Sequence, residues 1–297
     1  MRGPTKLQLA REAMLRSIDV RTCSGLDLSS PLDVYDLCDR QGVEVRFVNF
    51  SMEGLYIRST RPQIWLSALR PFPRRAFTCG HEFGHHEFGH GSTIDELTEE
   101  AAAPPIFKPD EFLVQTFAGF LLMPTLGARK ALAVRGLTAQ QSTPAELYIV
   151  ACSFGVGYAT LVTHLTYGLE MLPRHRSAKL LKVPLPHIRR EILGTASPAP
   201  LIVVDHHWAL PTVDTEVDTQ VLLPHGAEID TDRLTWQADI AAGRLFVATR
   251  PGIAKMYLPE SDKNLFVRVS RYQYVGLNRY RHLEEINEEQ AEVEDED

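Results

Sequence analysis

Two histidines four residues apart, with a glutamate directly after the first, carry the strongest chemical signal in this chain: His81-Glu82-Phe83-Gly84-His85. On a helix, residues at this spacing leave the same face one above the other. Both imidazoles can then reach a single Zn²⁺. Glu82 sits beside such an ion rather than on it. From there it can take a proton from water that the ion activates and later give it to a leaving amine. The competing reading is a helix with surface histidines.

The pentapeptide repeats at once as His86-Glu87-Phe88-Gly89-His90. Five residues turn a helix by about 140° net, so both copies cannot serve one site. The first copy shares its stripe with Phe77, Gly84 and Phe88, which marks an inward face. The second shares its stripe with Thr78 and Glu82, and Gly89 and Gly91 should end the helix there. The first copy is therefore the expected site. His86 and His90 are expected on an exposed flank, with His90 able to border the cleft.

Catalytic zinc takes three protein ligands and keeps a further position open, so a third must come from elsewhere. Downstream, Phe112, Leu113, Thr116, Phe117, Phe120 and Leu121 recur at helical spacing between Pro109 and Pro124. Glu111, Gln115 and Ala118 run along the edge of that buried face. Glu111 is the expected third ligand, with Asp110, Glu100 and Glu99 as successively weaker choices. A first-turn carboxylate that only favours the helix dipole is the alternative for Glu111.

The elements that must position these residues are partly legible. Gln8–Ile18 and Leu32–Asp39 read as helices, and 43–48 alternates as a strand. Leu55–Ile57 and Ile64–Leu66 read as short strands around Pro62, and Arg74–Phe88 as the long helix that carries the motif. Residues 171–197 contain several prolines and six basic side chains and read as a linker. From Leu201 the pattern turns to β-type runs at Leu201–Val204, Val221–Leu223, Leu245–Ala248 and Leu265–Val269. The expected class is α+β: a metallopeptidase domain over 1–170, a basic Pro-rich linker over 171–197, a smaller α+β regulatory domain over 198–283, and an acidic, disordered tail over 284–297.

Two segments together resemble the ImmA/IrrE family of bacterial metallopeptidases. They are Arg74-Arg75-Ala76-Phe77-Thr78-Cys79-Gly80-His81-Glu82-Phe83-Gly84-His85 and Phe117-Ala118-Gly119-Phe120-Leu121-Leu122-Met123-Pro124. The β segment from Gly54 to Leu66 is similar to it as well, and the likeness spans roughly residues 5–170. It implies a gluzincin-like zinc peptidase with His81, His85 and Glu111 on the metal and Glu82 as general base. Family members cleave a partner regulator of helix-turn-helix type and so relieve repression, in DNA-damage, mobile-element or phage-defence responses. The family often carries Asn or Asp four residues after the ligand Glu. This chain has Gln115 there, a residue that can still orient a ligating His by a hydrogen bond.

Residues 143–168 look like the helix-turn-helix that follows the family's catalytic core. Thr143-Pro144-Ala145-Glu146 is a capping box with Pro at the first helical position. Gly155-Val156-Gly157 makes the turn, and a second helix runs from Tyr158 to Tyr167. That second helix holds no Lys or Arg. Phosphate contacts need cations, so packing is favoured over DNA reading. His206-His207 suggests a second metal site less well than a polar cluster at a strand end. Arg268, Arg271, Arg279 and Arg281, interleaved with Phe266, Tyr272, Tyr274 and Tyr280, suit either single-stranded nucleic acid or an ordinary sheet face.

Composition bounds the rest. The 297 residues are 44% hydrophobic and 23% charged, an ordinary globular balance. Four scattered cysteines without C-x-x-C spacing fit a reducing cytoplasm. No apolar segment follows the first charges, so no signal peptide is expected. No run approaches the roughly 18 apolar residues of a membrane span, so a soluble cytoplasmic protein is expected. The formal net charge of −7 argues against a nucleic-acid coat. Nine of the 38 acidic residues lie in 284–297, however, leaving 31 basic against 29 acidic over the first 283. A nucleic-acid signal at the C-terminal domain therefore stays open. The expected activity is zinc-dependent cleavage of a partner regulatory protein, a helix-turn-helix repressor. The alternative is a non-catalytic regulator that acts by protein or nucleic-acid binding.

Overall fold

A computed structural model of the chain describes residues 3–95 and 107–283. The weaker ligand choices Glu99 and Glu100, and the acidic tail, lie outside the described residues.

The first helix, α1 (Lys6–Cys23), opens on a capping box in which the Thr5 hydroxyl accepts from Gln8 N–H while the Gln8 side chain accepts from Thr5 N–H. Next comes α2 (Val34–Arg40), capped by Asp33, whose carboxylate accepts from the N–H groups of Tyr35 and Asp36. Strands β1 (Glu44–Val48), β2 (Gly54–Ile57) and β3 (Gln63–Ser67) precede α3 (Phe72–Glu87), which carries the histidine motif. Strand β4 (Thr93–Asp95) follows. Three further helices are α4 (Pro109–Leu122), α5 (Thr125–Ala133) and α6 (Pro144–Ser153). The next, α7 (Tyr158–Thr163), continues as a π turn over His164–Gly168. β3 lies parallel to β1 and antiparallel to β2, and β4 flanks β2. One core joins this sheet to the helices, through Phe47, Ile64, Leu66, Phe83, Phe117, Leu121 and Leu161 among others.

Buried polar groups fix the long helices. The Arg21 guanidinium, 1% exposed, bonds the Leu121 carbonyl at 2.8 Å and the Asp27 and Ser30 carbonyls at 2.7 and 3.0 Å. It thus takes up an end carbonyl of α4, the place where a cation is favoured. His164 lies between Gly119 and Gly168, either of which would collide with its ring if given a Cβ. Its Nε2 donates to Met123 O at 2.9 Å. Burial pushes the His164 pKa down to about 4, against an ordinary 6.5. The unfolded chain therefore takes a proton here below about pH 6.5, while the folded one refuses it until about pH 4. The stability this neutral ring provides is complete above 6.5 and falls with acidification, by about 1.4 kcal/mol per pH unit inside that window. The expected result is that His164→Gln, which keeps a donor for Met123 O, loses less in melting temperature between pH 7 and pH 5 than the wild type does. Parallel slopes in the two proteins would contradict the assignment.

Residues 144–168 form two helical stretches joined by a short turn, the local arrangement of a helix-turn-helix. α6 and the Tyr158–Gly168 helix meet at 100°, within the range of such motifs. The second helix turns Tyr158, Leu161, Val162 and Leu165 into the core.

Residues 171–197 are not a linker. They form α8 (Arg174–Leu180) and α9 (Leu185–Leu193), with Leu180, Ile188 and Leu193 buried. The prolines that suggested a break act as starts: Pro173 and Pro184 cap the two helices, and Pro186 sits in the first turn of α9. Gly194, at φ +73°, closes α9. Arg174, Lys179, Lys182 and Arg190 are exposed, whereas Arg176 and Arg189 are half-buried and donate to the Ser142 and Ala199 carbonyls.

The C-terminal region is built from strands, not the expected α+β mixture. These are β5 (Leu201–Val203), β6 (Thr212–Glu216), β7 (Gln220–Leu223), β8 (Glu228–Ile229), β9 (Leu234–Ile240), β10 (Gly243–Ala248), β11 (Gly252–Leu258), β12 (Lys263–Ser270) and β13 (Gly276–Leu277). They form two four-stranded sheets, ordered β5-β7-β10-β9 and β6-β12-β11-β8, which bury Val221, Phe246, Met256 and Val267 between them. All four residues of β7 are buried, because α6 and α9 cover the other side of its sheet through Leu193, Leu201 and Leu222. β13 leaves this region and pairs with β1, making a fifth strand of the first sheet.

The basic-aromatic stretch is largely consumed in this junction. Arg268 pairs with Asp33 and Asp214, and Arg281, 2% exposed, lies 3.2 Å from Asp214 and over the Tyr35 ring. Burial and the neighbouring Asp214 raise the Asp33 carboxyl to about 7. Arg279 is half exposed and 3.8 Å from Glu44. No single described helix is long and apolar enough to cross a membrane.

Candidate metal centre

α3 runs from a Pro71 cap, with Pro73 in its first turn, across the first sheet. Its neighbour on the other side is α4, and glycines set their separation. A Cβ on Gly84 would lie 2.9 Å from Val114 Cβ, and one on Gly80 would lie 3.5 Å from Ala118 Cβ. The two small residues, one turn apart, let the helices approach closely. That approach places Glu111, one turn ahead of Val114, level with the histidines.

The resulting distances are short. His81 Nε2 and His85 Nε2 are 3.3 Å apart. Glu111 Oε2 lies 3.3 Å from His81 Nε2, and Glu111 Oε1 lies 3.9 Å from His85 Nε2. One ligand atom from each residue falls within 4.8 Å of the others. Both histidines are buried, whereas the Glu111 side chain is 38% exposed and opens the centre to solvent. A tetrahedral zinc site with bonds of about 2.0–2.2 Å spaces its ligands about 3.3–3.6 Å apart. The donor set and its spacing therefore fit a zinc ion. Each histidine is also held from behind: His81 Nδ1 lies 3.2 Å from Gln115 Oε1, and His85 Nδ1 lies 2.9 Å from His90 Nδ1. Metal-binding imidazoles commonly carry such partners.

The other ligand candidates fall elsewhere. Asp110 is exposed in the first turn of α4. His206 pairs with Glu260 at 3.0 Å, and the His207 N–H bonds Asp205 Oδ1. That is the polar cluster at a strand end. The second pentapeptide is half-buried rather than on an exposed flank. His86 stacks on Phe83 and shares a 2.9 Å hydrogen bond with Tyr56 of β2.

Glu82 is fully buried on the face of α3 turned to β2. Gly54, the first residue of β2, makes room for it: a Cβ there would come within 2.8 Å of Glu82 Oε1 and 2.6 Å of Thr78 Cγ2. Sequence reasoning did not single out Gly54. The available signal was a glycine inside a strand, which often marks a close approach. Gly54→Ala should push the Glu82 carboxylate aside. A displacement near 1 Å can cost on the order of 100-fold in rate, so the turnover of Gly54→Ala should fall by about that factor while zinc affinity stays near wild type. Steady-state kinetics alongside zinc titration checks this, and unchanged turnover would show that Gly54 does not seat Glu82.

No curated protein matches the chain. Residues 38–166, which contain the histidine motif, Glu111 and the segment to the second helix of the turn motif, match a family model. That model is Peptidase_M78, described as the IrrE N-terminal-like domain, and it is what these residues are similar to.

Proposed function

We propose that this protein is a zinc-dependent endopeptidase of gluzincin type. It cleaves one partner regulatory protein, a helix-turn-helix repressor, in a cytoplasmic stress, mobile-element or phage-defence response. The observation that carries the peptidase reading is the convergence of His81, His85 and Glu111 next to a buried Glu82. The repressor substrate and its setting rest on the likeness to the ImmA/IrrE family.

His81, His85 and Glu111 would hold the metal. Zinc bound there supplies Lewis acidity, lowering the pKa of an adjacent water and polarising the scissile carbonyl. Glu82 accepts the proton that the attacking water gives up and returns it to the departing amine. The Glu82 carboxylate is fully buried, with Gly54 leaving it the room that a Cβ would take. Gln115, within 3.2 Å of His81 Nδ1, steadies that imidazole.

The test is cleavage of candidate helix-turn-helix partners by the purified protein, followed by mass spectrometry. A defined cut should appear with zinc, vanish with a chelator and return on zinc addition. Failure to cut any candidate partner, by a zinc-loaded protein, would favour regulation by contact alone.

A further inference from the structure

Gly89 and His90 close the second pentapeptide, and the end of α3 shows what they do. Gly89 adopts φ +68°. Its N–H bonds the His86 carbonyl at 3.1 Å, and the His90 N–H bonds the His85 carbonyl at 3.0 Å. This pair of bonds around a left-handed residue is the Schellman pattern, which reverses the chain at a helix end. The reversal carries His90 back over the last turn. Its ring meets His85 with centroids 5.1 Å apart and Nδ1 atoms 2.9 Å apart. Phe88 stacks on His90 at 6.1 Å and 27°.

A hydrogen bond between two Nδ1 atoms needs a proton on one and a lone pair on the other. His85 turns Nε2 toward His81 and Glu111. A ligating nitrogen carries no proton, so neutral His85 must hold its proton on Nδ1. His90 must then accept with Nδ1 and keep its own proton on Nε2.

We infer that His90 is a positioning residue for His85: through this bond it selects the ligating tautomer and fixes the ring's orientation, the service that Gln115 performs for His81. The inference rests on the metal-site reading above. It also gives the tandem repeat a physical sense. The first copy presents the donors, and the last two residues of the second copy cap the helix and brace one of them.

Three substitutions test it. His90→Ala removes the acceptor. His90→Asn keeps an acceptor oxygen near the place of Nδ1. His86→Ala alters the same repeat on the side that faces Tyr56. Zinc affinity is measured on zinc-stripped protein by competition with a chromophoric chelator. His90→Ala should bind about 10- to 100-fold more weakly, while His90→Asn should stay within a few-fold of wild type and His86→Ala should match it. Wild-type protein that binds zinc no better than His90→Ala would overturn the inference and leave the metal site standing. A second readout needs no metal. Long-range ¹H–¹⁵N spectra of the zinc-free protein, taken where both rings are neutral, should show His85 protonated on Nδ1 and His90 on Nε2. The reverse pattern would overturn the inference whatever the zinc result. Correct tautomers in a protein that binds no zinc would instead sink the metal-site reading.

Discussion

Glu82→Gln should retain stoichiometric zinc and lose cleavage by on the order of 10²- to 10⁴-fold, the usual worth of a positioned general base. The amide has nearly the shape of the carboxylate, so it fits the fully buried space against Gly54 and Thr78. It cannot accept the water's proton. The three donors converge without Glu82, so metal binding should survive the change. The measurement pairs zinc content with the rate of partner cleavage, and a melting curve confirms the fold. Equal cleavage by zinc-loaded wild type and Glu82→Gln would remove Glu82 from the chemistry.

Glu111→Ala should weaken zinc binding by on the order of 100-fold or more, beyond the loss typical of a supporting partner. It is the one carboxylate in the donor set, 3.3 Å from His81 Nε2. Its removal leaves two imidazoles, too few for a catalytic site. Asp110→Asn, one residue away and exposed, should bind zinc like wild type. This contrast separates a ligand from a first-turn carboxylate that merely favours the helix dipole. Tight zinc binding by Glu111→Ala would shift the third ligand to Glu99 or Glu100.

The candidate site was legible to the extent that it is local. The spacing of His81 and His85 is a property of one helix, so their shared face could be read directly. Glu111 required a helix beginning at Pro109 and an apolar face, both visible, and a close helix–helix approach, which was not. That approach depends on Gly80 and Gly84 fitting against Ala118 and Val114, a match between two helices well separated in sequence. Gly54 was invisible as a site residue for the same reason: its partner Glu82 lies on another element. The helix end at Gly89 and the chance that His90 borders the cleft were both legible, but the contact of His90 with His85 was not, because it depends on how the chain reverses after Gly89.

Farther along, the reading failed where one composition admits two structures. Prolines at 173 and 184 look like breaks in a linker, yet each caps a helix whose apolar side is buried. Strand β9 is mostly exposed and polar, so no apolar run announced it. The arginines at 268 and 281 suited either phosphate contact or a sheet face, because their partners Asp33 and Asp214 are distant in sequence. Their burial among carboxylates is a tertiary fact.

The central claim, a zinc ion held by His81, His85 and Glu111, is tested most directly by anomalous scattering from a zinc-loaded crystal, measured on both sides of the zinc absorption edge. The account requires one strong peak about 2.0–2.2 Å from His81 Nε2, His85 Nε2 and a Glu111 carboxylate oxygen. A peak elsewhere, or none at this place in zinc-saturated protein, would contradict it.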